Sequence, residues 1–374
     1  MKKILIILPS LAVGGMEKVL INLVNELDEN KYDITIKTIY DCFQLVDNLN
    51  NNLKYSSFYT SSKNNKINFI KSRLYTFLLK KLPPTILYKI LIKEKYDIEI
   101  AFFRGASVKI VSGSNNTKSK KLAWVHNDFT KCTGIFDWFR TEEQTINAYK
   151  KFDNIVCVSQ YAKEMFIKRM GINKNVVVRY NINLVSDIID KSNEDIEENF
   201  KENRLKVCTV GRLVEAKGYD RLLNIHKRLI DEGITYELII VGSGPGYNKY
   251  RKFILDNGLE DTVHLLGNRT NPYKYINKSD LFVCSSRWEG FSTVISEAAI
   301  LKKPILTTRV SGVSELFLDS EYGLIVDNDE ESLYQGLKLL ITNKELLNHY
   351  KEKIIERSKF FDTKKAVKNI EMLF

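Results

Sequence analysis

Two glutamates eight positions apart, Glu289 and Glu297, sit in the stretch RWEGFSTVISEAAI of a 374-residue chain. Glu289 stands beside Gly290 in a turn, and Glu297 lies inside the helical segment that follows. Apolar runs flank both, Leu281–Ser286 before and Pro304–Thr308 after. Runs of that length bounded by turn residues read as buried parallel strands, so the whole reads as a strand–helix–strand unit. Glycine lets the backbone come close to a ligand, and free N–H groups at the helix start, near Ser292–Val294, favour an anion. A carboxylate in the loop and another inside the helix can each hold a hydroxyl pair, one on either side of that anion. Phosphate flanked by two polyols describes a nucleotide sugar. The bland alternative is two surface charges on a helix.

The pattern E-G-F-S-x4-E resembles the donor-binding motif of the retaining glycosyltransferases of family 4, and the similarity covers essentially the whole chain. The resemblance implies an α/β protein of the GT-B fold: two Rossmann-like doubly wound domains facing across a cleft. It assigns Glu289 to sugar hydroxyls, Glu297 to ribose, and Gly290, Phe291, Ser292 and Thr293 to the donor. Two departures are visible. Ser292 stands where the family usually has proline, which bears on the fit around the donor sugar. Lys302-Lys303 precede Pro304 where glycine is usual, and are expected on the surface.

The size and composition agree with that architecture. The chain is too long for one ordinary core and suits two domains. Its 44% hydrophobic and 11% aromatic content supports packed cores and argues against disorder. Five scattered cysteines (42, 132, 157, 208, 284) and four histidines show no metal-ligand spacing, so buried thiols in a reducing cytosol are expected, with no structural zinc. MKKILIILPS mimics a signal peptide, but its apolar run stops at Pro9 before a glycine turn, so it reads as a first buried strand. No run approaches the roughly 20 apolar residues that span a bilayer. The expected domains are 1–185 for the acceptor, a linker at 186–205, 206–355 for the nucleotide sugar, and a last helix within 356–374 bracing the first domain.

Strand Lys2–Leu8, a glycine turn and a helical stripe from Met16 to Leu27 form a phosphate-cradling geometry. Gly14, Gly15 and Glu17 match the family's Gly-Gly-x-Glu turn near the donor phosphates and the acceptor. Tyr32–Tyr40 reads as a strand and the asparagine-rich Asp47–Asn65 as a loop. Tyr96–Phe103 is a strand ending at Arg104-Gly105, and the resemblance puts Arg104 on the acceptor side. Lys121–Val125 delivers His126 and Asp128 at its C-terminal end, where open parallel sheets place ligand groups. A lone histidine is more often structural, yet His126 matches by position the family's histidine near the reacting centre, and Asp128 is its neighbour.

In the second half, Arg212 and Lys217 precede a helix; two fixed cations there would neutralise a departing diphosphate. G-R-L-x3-K-G matches the family's diphosphate clamp residue for residue. The glycine turn from Gly242 to Gly246 invites a dinucleotide reading, but it lacks G-x-G-x-x-G, and the next strand, VHLLG, ends without an acid. The resemblance places Gly242 along the donor cleft and Asn268 where the base is held. Asp327-Asn328-Asp329 spells the D-x-D of metal-dependent glycosyltransferases, but after a strand and before a helix it reads as a cap. Neither metal nor cofactor is expected.

Net charge is +11, and from Lys54 to Lys95 ten basic residues face the single acid Glu94, a net +9. Across 66–95, apolar residues interleave with lysines at helical intervals around Pro83-Pro84. Two basic amphipathic helices suit an anionic membrane surface; the alternatives are a core-packed pair with a solvated basic face, or nucleic acid, for which no motif is present. The resemblance implies transfer of a hexosyl or N-acetylhexosaminyl group from a UDP-linked sugar to a lipid-linked or oligosaccharide acceptor, retaining and metal-independent. His126, Arg212, Lys217 and Glu289 would be the catalytic residues. The expected setting is cytoplasmic, peripheral on the inner face of a bacterial membrane, in surface-polysaccharide assembly. Two rivals stay open: a non-catalytic GT-B scaffold, and an enzyme of the same fold with a soluble sugar acceptor.

Overall fold

Long apolar β-branched runs and short glycine turns build two parallel sheets, each in its own compact unit. The structure is a computed structural model that describes residues 1–12, 14–41, 44–60 and 65–374, without the side chains of 65–69. One unit is Met1–Ile182 with Lys364–Phe374; the other is Asn183–Thr363.

The first unit runs β1 (Lys2–Leu8), α1 (Gly15–Glu26), β2 (Tyr32–Tyr40), β3 (Lys54–Tyr59), α2 (Asn65–Lys81), α3 (Pro84–Leu91) and β4 (Ile98–Ala101). It continues with α4 (Ala106–Val111), β5 (Lys120–Val125), α5 (Glu142–Tyr149), β6 (Asn154–Cys157), α6 (Gln160–Met170) and β7 (Val176–Val178). The second contains α7 (Val185–Ser192), β8 (Lys206–Val210), α8 (Tyr219–Asp231), β9 (Glu237–Val241), α9 (Tyr247–Asp256) and β10 (Val263–Gly267). Then follow α10 (Tyr273–Lys278), β11 (Leu281–Cys284), α11 (Thr293–Ile300), β12 (Ile305–Thr308), α12 (Val313–Phe317) and β13 (Leu324–Val326). Three helices end the chain: α13 (Glu330–Thr342), α14 (Lys344–Ser358) and α15 (Thr363–Glu371).

The sheet orders are β3-β2-β1-β4-β5-β6-β7 and β10-β9-β8-β11-β12-β13. Each is parallel throughout, with Ile4 opposite Ile98 in one and Leu281 opposite Val207 in the other. Helices on both faces bury the central strands, so Ile4–Leu8 and Leu281–Val283 are almost wholly inaccessible. In each unit the order reverses beside the first strand, between β1 and β4 and between β8 and β11. Loops leaving the carboxyl ends of those two strands diverge, which is where doubly wound sheets bind ligands.

Three expectations need correction. The stretch expected as a loop from Asp47 to Asn65 carries a 3-10 turn at Val46–Asn48 and the edge strand β3, whose Tyr55 lies opposite Ile36. The expected linker 186–205 belongs to the second unit: Ile188 of α7 is buried against α10 and α11, and Phe200 meets the His264 ring edge-on at 4.9 Å. Lys302 is exposed as expected, but Lys303 is half-buried; its ammonium donates to the Asn277 carbonyl, and burial lowers its pKa. The glycine usual before Pro304 has a physical basis, since Lys302 takes a left-handed φ of 57°.

Near the C-terminus, Arg179 Nε donates to the Asn369 carbonyl at 2.7 Å and Phe374 meets Tyr32 at 5.6 Å, both within the first unit. Cys157, Cys208 and Cys284 are buried free thiols; Cys42 lies outside the described residues. No helix among the described residues is long and apolar enough to cross a membrane. Asp329 caps α13 by accepting the Ser332 N–H at 2.8 Å, so the D-x-D stretch has a structural role.

Candidate functional site

In the second unit the loops after β8 and β11 carry the clamp and the glutamate motif. Backbone bonds stitch the β8 loop to the glycine turn after β9: Leu213 N–H donates to Ser243 at 2.9 Å, and Gly246 N–H to Leu213 at 2.9 Å. Gly242 has φ 146° and lies so close to this loop that a Cβ would sit 2.0 Å from the Gly211 carbonyl. Gly218 (φ 65°) touches the β11 loop as closely, its Cβ position 2.2 Å from the Ser285 carbonyl.

Lys217 ends a 3-10 turn at Glu215–Lys217, and its Nζ donates to Glu289 Oε1 at 2.6 Å. The side chains of the pair are 22% and 11% exposed. Ser286 Oγ donates to the same oxygen at 2.6 Å, and Ser285 Oγ donates to the Lys217 carbonyl at 2.8 Å. Burial disfavours the Lys217 charge, but Glu289 outweighs it and holds the pKa above the ordinary lysine value. The nearby charge of Arg212 opposes that effect. Arg212 itself is exposed.

α11 begins at Thr293, with Ser292 as its N-cap residue. Ser292 makes no side-chain cap, and its buried Oγ has no hydrogen-bond partner among the described residues. The first-turn N–H groups of a helix have no partner within it, so this end offers donors to an anion. Gly290 and Phe291 are half-buried in the turn before it; Glu297 is buried in the second turn of α11; Asn268 is exposed just beyond β10.

The framework that holds this loop was not apparent from the sequence. Arg221 of α8 is buried and donates to the Ser285 carbonyl at 2.9 and 2.6 Å, to the Ser286 carbonyl at 2.9 Å and to Asn328 Oδ1 at 2.9 Å. Arg287 forks onto Asp220, both contacts 2.7 Å. One signal pointed to Arg221: it is a cation four residues after Lys217 on the stripe of Leu222, Leu223 and Ile225 that α8 buries.

In the first unit, Gly14 and Gly15 open α1, with Glu17 in its first turn. His126 follows β5 and is buried, its ring against Phe102 at 4.8 Å and Phe103 at 6.5 Å. Nε2 lies 2.9 Å from the Phe102 carbonyl. A carbonyl only accepts, so Nε2 carries the proton and Nδ1 keeps its lone pair. Burial lowers the imidazole pKa to about 4, against a smaller opposing effect of that carbonyl, so the ring is neutral at pH 7. Arg104 donates to Cys132 Sγ at 2.9 Å. With its amide turned to satisfy both neighbours, Asn127 accepts from Arg104 and donates to the His126 carbonyl, each at 3.1 Å. Asp128 spends both oxygens on its own loop: Oδ1 accepts from Thr130 N at 2.8 Å and Oγ1 at 2.6 Å, and Oδ2 from Tyr161 at 2.9 Å. Burial would raise its pKa, but these bonds outweigh it and hold the carboxyl below the ordinary range. That geometry fits a loop brace better than an acceptor contact.

Residues 13–182 match the family model "Glycosyltransferase Family 4" and residues 190–357 match "Glycosyl transferases group 1". The N-acetylgalactosamine-N,N'-diacetylbacillosaminyl-diphospho-undecaprenol 4-alpha-N-acetylgalactosaminyltransferase of Campylobacter jejuni is 34% identical over 224 residues. That stretch is 59% of this chain and 60% of the Campylobacter enzyme, less than two thirds of its length. The crystal structure of HepE from Anabaena in complex with UDP superposes with a TM-score of 0.74 at 18% identity, covering 100% of this chain and 99% of that one. WaaG, a glycosyltransferase involved in lipopolysaccharide biosynthesis, gives 0.68 at 13% identity over 98% of both chains. With two parallel Rossmann-like sheets and both halves matched in turn, this chain belongs to the family 4, group 1 glycosyltransferases of the GT-B fold.

Proposed function

We propose that this glycosyltransferase moves a hexosyl or N-acetylhexosaminyl group from a UDP-linked sugar to a hydroxyl of a lipid-linked glycan, with retention of anomeric configuration. The observation that carries the reading is the Lys217–Glu289 contact, which puts a cation and a hydroxyl-binding carboxylate side by side. The unpartnered Ser292 hydroxyl and the start of α11 add anion donors on the same loop. Arg212 and Lys217 take the charge that grows on the leaving diphosphate. Glu289 holds sugar hydroxyls and Glu297 the ribose; Gly242, Gly290, Phe291, Thr293 and Asn268 shape the donor pocket. Gly14 and Gly15 serve the donor, Glu17 and Arg104 the acceptor, and neutral His126 orients the reacting centre without carrying a proton away. The bond from the anomeric carbon to phosphate breaks and the bond to the acceptor oxygen forms on the same face. The acceptor proton passes to the departing phosphate oxygen, and UDP leaves. Charge neutralisation by the two cations makes the reaction independent of a metal.

UDP as the nucleotude carrier is supported by the nucleotide in the HepE complexes, and a polyprenol diphosphate acceptor by the name of the Campylobacter relative. The segment of α2 and α3 favours a lipid-linked acceptor over a soluble one. Leu79, Leu87 and Tyr88 pack inward, while Ile70, Leu74, Phe77, Leu78, Ile86 and Ile90 remain 41% to 68% exposed among exposed Lys71, Arg73, Lys81, Lys89 and Lys93. An apolar stripe edged with cations suits an anionic bilayer surface, at about 1 kcal/mol per basic residue near it. The chain would then work as a peripheral protein on the cytoplasmic leaflet, in surface-polysaccharide assembly.

The test is transfer from UDP-sugars to a polyprenol diphosphate glycan in EDTA, with the new linkage assigned by NMR. An α-linked product from an α-linked donor is expected. An inverted product, or activity abolished by EDTA, would contradict the mechanism.

A further inference from the structure

A cavity of about 300 Å3 lies in the first unit between the end of α2, the Pro83–Pro84 turn, α4 and α5. Lys80, Lys81, Lys109, Arg140 and Lys151 line it, and no acidic residue does. Among the described residues, none of these five cations forms an ion pair. Charges of one sign around a concave wall focus the field and draw counter-ions in. None of the residues assigned above to donor or acceptor lines this cavity.

Lys109 gives the site a fixed centre. It is only 3% exposed, and its Nζ donates to the Lys80 carbonyl at 2.7 Å with the Phe139 ring 5.6 Å away. Burial, and then the neighbouring Arg140 charge, lower its pKa to about 8, so it is still charged at neutral pH without a carboxylate partner. Lys80 Nζ stands over Trp138 at 5.5 Å, and Lys151 donates weakly to the Ser112 carbonyl at 3.3 Å. An ammonium has three donors, so each of these lysines has capacity left for a ligand.

We infer that this cavity is a second anion site that takes a phosphomonoester or diphosphate group. Its volume is at the small end for ligand pockets. A lysine cluster with one arginine fork suits a multiply charged phosphate oxygen set better than a single carboxylate. The phosphate can be a free anion or the headgroup of a membrane lipid, since the lining turn Lys81–Pro84 joins the two helices with the exposed apolar stripe.

The experiment titrates the intact chain with pyrophosphate by calorimetry, and in parallel measures co-sedimentation with phosphatidylcholine vesicles with and without phosphatidic acid. Four proteins are compared: wild type, Arg140→Ala/Lys151→Ala, Arg212→Ala, and Lys118→Ala/Lys174→Ala, which removes equal exposed charge outside both the cavity and the α2–α3 stripe. Arg140 and Lys151 are exposed, so their loss spares the core. Pyrophosphate binding that persists in Arg212→Ala is expected, and its affinity falls at least about 10-fold, the scale for losing charged hydrogen bonds, in the Arg140/Lys151 variant but not in the Lys118/Lys174 control. Binding only to phosphatidic acid vesicles with the same variant pattern also supports the site and names the headgroup as its source. Binding of neither probe, binding lost only in Arg212→Ala, or equal binding by the Arg140/Lys151 variant and the Lys118/Lys174 control overturns it.

Discussion

Removing the Glu289 carboxylate should tighten UDP binding while it destroys transfer, because Glu289 competes with the nucleotide for Lys217. The pair meets at 2.6 Å with side chains 22% and 11% exposed, and Ser286 Oγ also donates to the carboxylate. A hydrogen bond between charged groups contributes about 1.5–3 kcal/mol, with the lower end fitting this partly exposed pair. If about 1 kcal/mol of that is returned when the competitor is gone, Glu289→Gln binds UDP roughly 5-fold more tightly. Its turnover still falls, since the sugar loses its hydroxyl partner. Lys217→Ala should act in the opposite sense on binding: UDP weakens, and turnover drops at least about 100-fold, the scale for losing a preorganised charge contact. Calorimetric titration with UDP and a UDP-release assay on both variants measure the two effects. The reasoning fails if Glu289→Gln weakens UDP as much as Lys217→Ala does, or if Lys217→Ala turns over within a few-fold of wild type.

His126 has a folded-state pKa of about 4 against an ordinary 6.5, so it stays neutral through the assay range and kcat/KM should show no limb near pH 6.5 from this residue. Because the folded value is the lower one, stability falls as pH drops from 6.5 towards 4, by up to about 3 kcal/mol; a limb near 6.5 abolished by His126→Gln would contradict this. Arg221→Ala should destabilise the second unit by about 3 kcal/mol by leaving the Ser285 and Ser286 carbonyls without their donor, and should lower turnover with partial rescue by Arg221→Lys; denaturation within about 0.5 kcal/mol of wild type would refute it. Lys302→Gly should stabilise by about 0.5–1 kcal/mol, because φ 57° strains a side chain and suits glycine; a lower midpoint in urea would show the strain is absent.

Local patterns made much of this molecule legible. Both ends of α13 and α14 were readable because Asp329 and Asn343 cap them with their own side chains, and the EGFS turn announced the start of α11. β3 escaped because KYSSFY lies at a sheet edge, paired on one side only, and shows no strong apolar alternation. α7 escaped because Ile188 alone of its large apolar residues is buried, and only packing against α10 and α11 reveals it. The sequence placed Lys217 and Glu289 in one site, but their direct contact across 72 residues depends on how the β8 and β11 loops meet. The role of Arg221 is likewise invisible until the two carbonyls it holds are in place. Asp128 drew attention as a polar neighbour of His126, whereas its oxygens are consumed by Thr130 and Tyr161.

The most direct test of the central claim is calorimetric titration with UDP, GDP and ADP in EDTA, on wild type and Arg212→Ala. The account predicts micromolar binding of UDP in preference to the other two, lost in the variant. Binding of none of the three nucleotides, or UDP binding unchanged by Arg212→Ala, would contradict it.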